Sequence, residues 1–215
     1  LLVAVTGPVL GAVADRAGRR KPWIGGFTLV AVVACAGLWF VAPDRGDIAL
    51  ALGLVIVTTA AFEFASVFYN AMLPDLVAAN RLGRVSGWGW GIGFLGGLSA
   101  LALVLVVFVN PAAAPFGLDK GAAEHIRAAM VAAALWFAVF ALPLFLFTGE
   151  ASGPRQPLAT AGRAGLGDLW RTLRTVRRQP QLLRFLLARM AYADGLATLF
   201  ALGGIYARHL RHGFR

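Results

Sequence analysis

Apolar residues along this chain gather into unbroken runs, and short clusters of charge separate the runs. A membrane-spanning helix needs about 20 mostly apolar residues. By that measure the pattern predicts spans near Trp23–Ala42, Ile48–Leu73, Val85–Val109, Ala128–Thr148 and Leu182–Ala207. A shorter run, Leu1–Ala14, reads as the back half of a further span. It has no initiator Met or basic flank, and it lacks the pattern of a cleavable signal peptide. Barrel strands would alternate apolar and polar residues, whereas these runs are continuous. Helices are the other way to satisfy backbone amides in hydrocarbon. The predicted fold class is therefore all-α, a polytopic transmembrane helix bundle.

The short polar clusters alternate in character. Arg16, Arg19, Arg20 and Lys21 crowd the first, and Arg81 and Arg84 mark the third. Arg155, Arg163, Arg171, Arg174, Arg177 and Arg178 fill the fifth. The second has Arg45 between Asp44 and Asp47, and the fourth mixes Asp119, Lys120, Glu124 and Arg127. Cytoplasmic loops carry the Lys/Arg excess, so the first, third and fifth are expected inside. Trp23 and Trp39 are expected as interfacial anchors at opposite ends of one span. The tail, with Arg208, Arg211 and Arg215, is too basic for the far side that this scheme gives it.

Composition supports lipid as the solvent. The chain is 59% hydrophobic and 14% charged, against about 25% charged in soluble domains. A net charge of +10 raises the question of nucleic acid. The basic residues sit between apolar spans, however, where anionic lipid and topology account for them, so no nucleic-acid partner is expected. Cys35, the single cysteine, lies inside an apolar run and reads as a small buried hydrophobe.

The long polar segment has two parts. Residues 151–167 are rich in Gly, Pro, Ser and Thr and read as a flexible linker. From Asp168, an N-cap candidate, Leu169, Trp170, Leu173 and Val176 recur at helical spacing with arginines on the other face. Pro180 is expected to stop this helix, which would lie on the inner membrane surface. The alternative is a simple extension of the next span. The expected domains are residues 1–148, a first transmembrane bundle; 149–181, a basic cytoplasmic linker; and 182–215, the first helix of a second bundle with an atypical tail.

One motif is specific. Gly11, Asp15, Arg16, Gly18, Arg19, Arg20 and Lys21 form G-x-x-x-D-R-x-G-R-R-K between two apolar runs. Gly11 would let another helix approach closely. Asp15 can accept from a guanidinium or a helix N-terminus, and Gly18 permits a tight turn. The motif resembles the signature of the major facilitator superfamily between its second and third helices. Phe68-Tyr69-Asn70-Ala71-Met72-Leu73-Pro74-Asp75, Arg84-Val85-Ser86-Gly87 and Tyr192-Ala193-Asp194-Gly195 resemble that superfamily's vacuolar-effluxer-like branch, as does Phe200-Ala201-Leu202-Gly203-Gly204-Ile205-Tyr206. The resemblance implies a partial major-facilitator fold, from the second to the seventh of twelve helices. It also implies alternating access and a small-metabolite substrate, with amino acids the class that fungal members export. Within this scheme, the glycines from Gly87 to Gly97 open the fifth helix and are expected to let helices pack closely.

Ionisable residues inside spans are costly and are functional candidates. Glu63, Arg189 and Asp194 are such residues. Glu63 and Arg189 come out at similar depths and could pair. Asp194 has no obvious partner, and desolvation disfavours its charge, so proton binding is expected there. Tyr69, Asn70 and Tyr192 are candidates to hydrogen-bond a substrate. No enzyme is expected: His125, His209 and His212 lie outside the spans, and no Cys/His metal spacing exists. No cofactor is expected either. The reading is thus a proton-coupled exporter or exchanger in a bacterial inner membrane. The alternatives are a truncated, non-transporting fragment and a membrane-embedded partner-binding subunit.

Overall fold

A computed structural model describes residues 6, 10–11, 20–111, 115–149, 167, 170–172 and 174–213. Every long element among them is a helix: α1 Lys21–Gly37, α2 Ile48–Leu76, α3 Leu82–Val104, α4 Glu124–Phe147 and α5 Pro180–Gly213. A 3₁₀ turn, Leu38–Phe40, continues α1, and a π-turn, Leu105–Val109, continues α3. Together with their flanking turns, α1 to α4 are long and apolar enough to cross a membrane. The protein is an integral membrane helix bundle.

The expected helices begin two to four residues earlier than apolar content alone suggests, at Lys21, Leu82 and Glu124. Charged first turns belong to the helix although they lie at the lipid surface, and Pro22 fits the first turn of α1 because its missing N–H has no helical partner there. Of the expected span Leu1–Ala14, only Thr6, Leu10 and Gly11 fall among the described residues.

The chain divides into two units, Leu1–Leu166 and Gly167–Arg215. In the first, α1 packs against α2 and α4. Because lipid tails are as apolar as leucine, such contacts rest on close fit rather than on escape from water. The seam accordingly uses small side chains, with Ala31, Ala34, Ala61, Ala65, Ala129 and Ala134 all buried. One end adds an aromatic stack. Phe27 lies 5.0 Å from Phe64 and 5.8 Å from Phe68 between ring centroids, and Trp23 lies 5.7 Å from Phe68. Each such ring pair adds about 0.5–1.5 kcal/mol beyond burial. Trp23 is therefore a packing residue as well as an end marker.

The short connections make α1 to α4 alternate in direction. Arg20, Lys21, Arg81 and Arg84 consequently share one end of the bundle, with the ends of α2 and α4. The mixed clusters share the other end. There Arg127 sits 5.5 Å above the Trp39 ring and donates to its carbonyl at 3.2 Å. Asp47 accepts from the Ala42 amide at 2.7 Å, which closes the α1–α2 turn.

In the second unit, Trp170–Thr172 and Arg174–Arg177 are helical, and Arg178 is in a turn. The Arg178 and Gln179 amides donate to Thr175 and Val176, each at 3.0 Å, three-residue bonds that tighten a helix end. Pro180 then begins α5 rather than merely ending the previous helix. The helical assignment is thus interrupted between Arg177 and Pro180. The α5 backbone stays helical through Gly213, past the expected boundary at Ala207.

Candidate functional site

Two sets of residues carry the chemistry of the first unit, one at its basic end and one along α2.

At the basic end, Arg20 precedes the first turn of α1, and its guanidinium pairs with the Asp75 carboxylate at the last turn of α2. Taken alone, each charge sits at the wrong end of its own helix dipole. The antiparallel packing corrects this, because Asp75 lies beside the positive start of α1 and Arg20 beside the negative end of α2. The next residue does the same for α4. The Lys21 ammonium donates to the Thr148 carbonyl and, at 3.3 Å, to the Phe145 carbonyl. Those oxygens belong to a helix end, where carbonyls lack intrahelical donors. Arg20 and Lys21 thus tie three helix ends together.

Of the signature motif, Arg20 has this definite role. Gly11 is helical, and among the described residues nothing beyond its own helical turn lies within 4 Å of where a Cβ would stand. Asp15, Arg16, Gly18 and Arg19 lie outside the described residues.

Along α2, Ala61, Phe64, Ala65, Phe68 and Met72 form the packed face. At 100° per residue, Thr59, Glu63, Ser66 and Asn70 fall on the opposite side, spaced four, three and four apart. Thr59, Glu63 and Asn70 are exposed and Ser66 is half-buried. Glu63 stands about 22 Å along a helix of about 44 Å, at its middle. Thr59 and Ser66 were missed by the sequence reading, although their spacing with Glu63 was available as a signal. Tyr69 leaves this stripe and turns toward α3, its hydroxyl 3.8 Å from where a Gly89 Cβ would stand.

On α5, Arg189, Tyr192 and Asp194 are all exposed. Arg189 and Tyr192 lie about 60° apart around the axis, but Asp194 is about 140° from Arg189. One flat face of α5 therefore cannot present all three. The Thr198 hydroxyl donates to the Asp194 carbonyl at 2.8 Å and shares its side. Glu63 and Arg189 fall in different units.

Apart from Gly89, the glycines from Gly87 to Gly97 do not pack as expected among the described residues. Nothing beyond the local helix lies within 4 Å of a Cβ placed at Gly87, Gly91, Gly93, Gly96 or Gly97. No residue of α3 is buried, and Trp88 and Trp90 are exposed.

A membrane bundle of alternating helices, with a polar stripe along one of them, defines a class of polytopic membrane proteins. The family model described as "Vacuole effluxer Atg22 like" matches residues 1–83 and 79–210. The chain belongs to that family, within the major facilitator superfamily. It is 27% identical over 216 residues to a protein of Bacillus subtilis (strain 168) described as an uncharacterized MFS-type transporter. That match takes in 99% of this chain and 48% of the relative, so the chain spans about half the relative's length. No solved structure matches.

Proposed function

We propose that this chain serves a secondary active transporter that exports or exchanges a small metabolite by alternating access, with proton coupling. The observation that carries the proposal is the stripe Thr59, Glu63, Ser66 and Asn70. It holds a carboxylate at mid-helix on the side of α2 away from its packed face. A charge at that depth is tolerated where it faces protein or a water-filled cavity. The stripe would thus line the translocation path. Family membership and the transporter description of the Bacillus relative support the same reading. Amino acids are the first substrate class to test.

In this reading Arg20 and Lys21 hold the basic ends of α1, α2 and α4 together, so that the bundle rocks as one body. Asp15, Arg16, Gly18 and Arg19, with Gly11, serve the switch between states. Asp194 carries the proton, and Arg189 and Tyr192 contact substrate. Tyr69, beside α3, positions the stripe. The basic ends face the cytoplasm of a bacterial inner membrane, residues 1–148 belong to the first bundle, 149–181 form the linker, and 182–215 open the second bundle.

The test is transport in proteoliposomes by the full-length transporter. Amino-acid uptake or counterflow that responds to an imposed pH gradient is expected. Absence of any gradient-driven flux across a panel of amino acids and other small metabolites would refute the proposal.

A further inference from the structure

The segment that leads into α5 carries an imbalance of charge that transport does not use. From Gly167 through Arg184 the sequence holds five arginines, at 171, 174, 177, 178 and 184, against one acid, Asp168. Trp170 and these five arginines are exposed. Among the described residues, Arg174, Arg177, Arg178 and Arg184 have no carboxylate partner.

Their placement is ordered. Around the helical axis, Arg171, Arg174, Arg177 and Arg178 fall within an arc of about 120°. Trp170 lies within that arc, about 20° from Arg177, and half-buried Val176 lies on the other side. The helix breaks at Arg178–Gln179 and α5 starts at Pro180. The arginine face is therefore tethered directly to the start of α5.

We propose that this face binds the anionic headgroups of the leaflet at which α5 begins, with Trp170 at the interface. The occupant is lipid for three reasons. Four cations crowd one helical face, which suits a dense anionic surface rather than a single small ion. Trp170, exposed beside the arginines, suits the headgroup level, where tryptophan is enriched. The tether also holds the segment within reach of headgroups, where basic residues beside a spanning helix are attracted to acidic lipid. The inference rests on α5 entering the membrane, as proposed above, but not on which side the segment faces.

Each arginine near such a surface strengthens attachment about fivefold, so three substitutions should weaken it about a hundredfold. The experiment is amide hydrogen exchange on the full chain in lipid nanodiscs, comparing pure phosphatidylcholine with a mixture containing phosphatidylglycerol. Both leaflets of a disc are alike, so orientation does not enter. Residues 170–178 should exchange at least about tenfold more slowly in the anionic discs. High salt and the variant R174Q/R177Q/R178Q should abolish the difference, whereas R174K/R177K/R178K should keep most of it. Equal exchange in the two lipids, with α5 protected in both, would overturn the proposal. Fast exchange throughout α5 in both would instead overturn its reading as a spanning helix. Inorganic phosphate or a DNA duplex added to phosphatidylcholine discs should change nothing. If either slowed the segment as much as phosphatidylglycerol does, the assignment to lipid would be wrong.

Discussion

Arg20 and Asp75, 55 positions apart in the chain, form an ion pair that joins the start of α1 to the end of α2. Each side chain keeps some solvent contact, 19% for Arg20 and 37% for Asp75. Screening then limits a pair of this kind to about 0.2–1 kcal/mol. Arg20→Gln and Asp75→Asn should each lower the thermal midpoint in detergent slightly, and the double variant should lose less than the sum. Strict additivity across the cycle would mean that the pair contributes no coupling.

Lys21 should matter more. Its ammonium serves two carbonyls at the end of α4 in a half-buried site. Hydrogen bonds to a charged group contribute about 1.5–3 kcal/mol. Lys21→Met keeps the apolar stem but removes the donor, so it should cost about that much in folded stability. Lys21→Arg should recover part of the loss. Equal stability of the Met variant and the parent would show that those carbonyls are satisfied by solvent.

Topology offers an independent check. In a Cys35→Ala background, cysteines at Arg19, Arg84 and Ser152 should react with impermeant reagents from the cytoplasmic side, and cysteines at Gly46 and Gly117 from outside. The basis is the shared basic end of α1 to α4. Labelling of position 84 from outside would invert the orientation.

Much of the architecture was legible beforehand, for a physical reason. Long apolar runs have few ways to exist in lipid, so α1 to α4 could be placed to within a few residues. Contacts between helices were less legible. Nothing in the sequence pairs Arg20 with Asp75 rather than with another acid, because that choice depends on which helix ends meet. Trp23 looked like an interfacial anchor, and only the packing shows it against Phe68. The stripe on α2 was half visible: Glu63 and Asn70 stood out as candidates, while Thr59 and Ser66 pass as ordinary helix residues until the packed face is known. The geometry of α5 divides the candidates Arg189, Tyr192 and Asp194 between two sides, which a bare list of polar residues does not show.

The candidate charges should separate by function in the full-length transporter. Asp194→Asn mimics the protonated carboxylate, so pH-gradient-driven transport should fall to background while substrate exchange without a gradient persists. Full gradient-driven transport by this variant would move the coupling role to Glu63.

In the proposed transporter, the side of α2 bearing Glu63 faces water within the membrane. Thiol accessibility measures this directly. Single cysteines at Thr59, Glu63 and Asn70 are placed in the Cys35→Ala background of the full-length transporter. They are compared with cysteines at Leu29 and Phe140, which are exposed apolar positions on α1 and α4. A water-soluble thiol reagent reacts with the thiolate, which forms in water and is disfavoured in lipid. The three stripe positions should react at least about tenfold faster than Leu29 and Phe140, by the loss of thiolate on desolvation, and added substrate should slow them. Stripe cysteines as inert as those at Leu29 and Phe140 would place that side of α2 against lipid and refute a water-filled path beside Glu63.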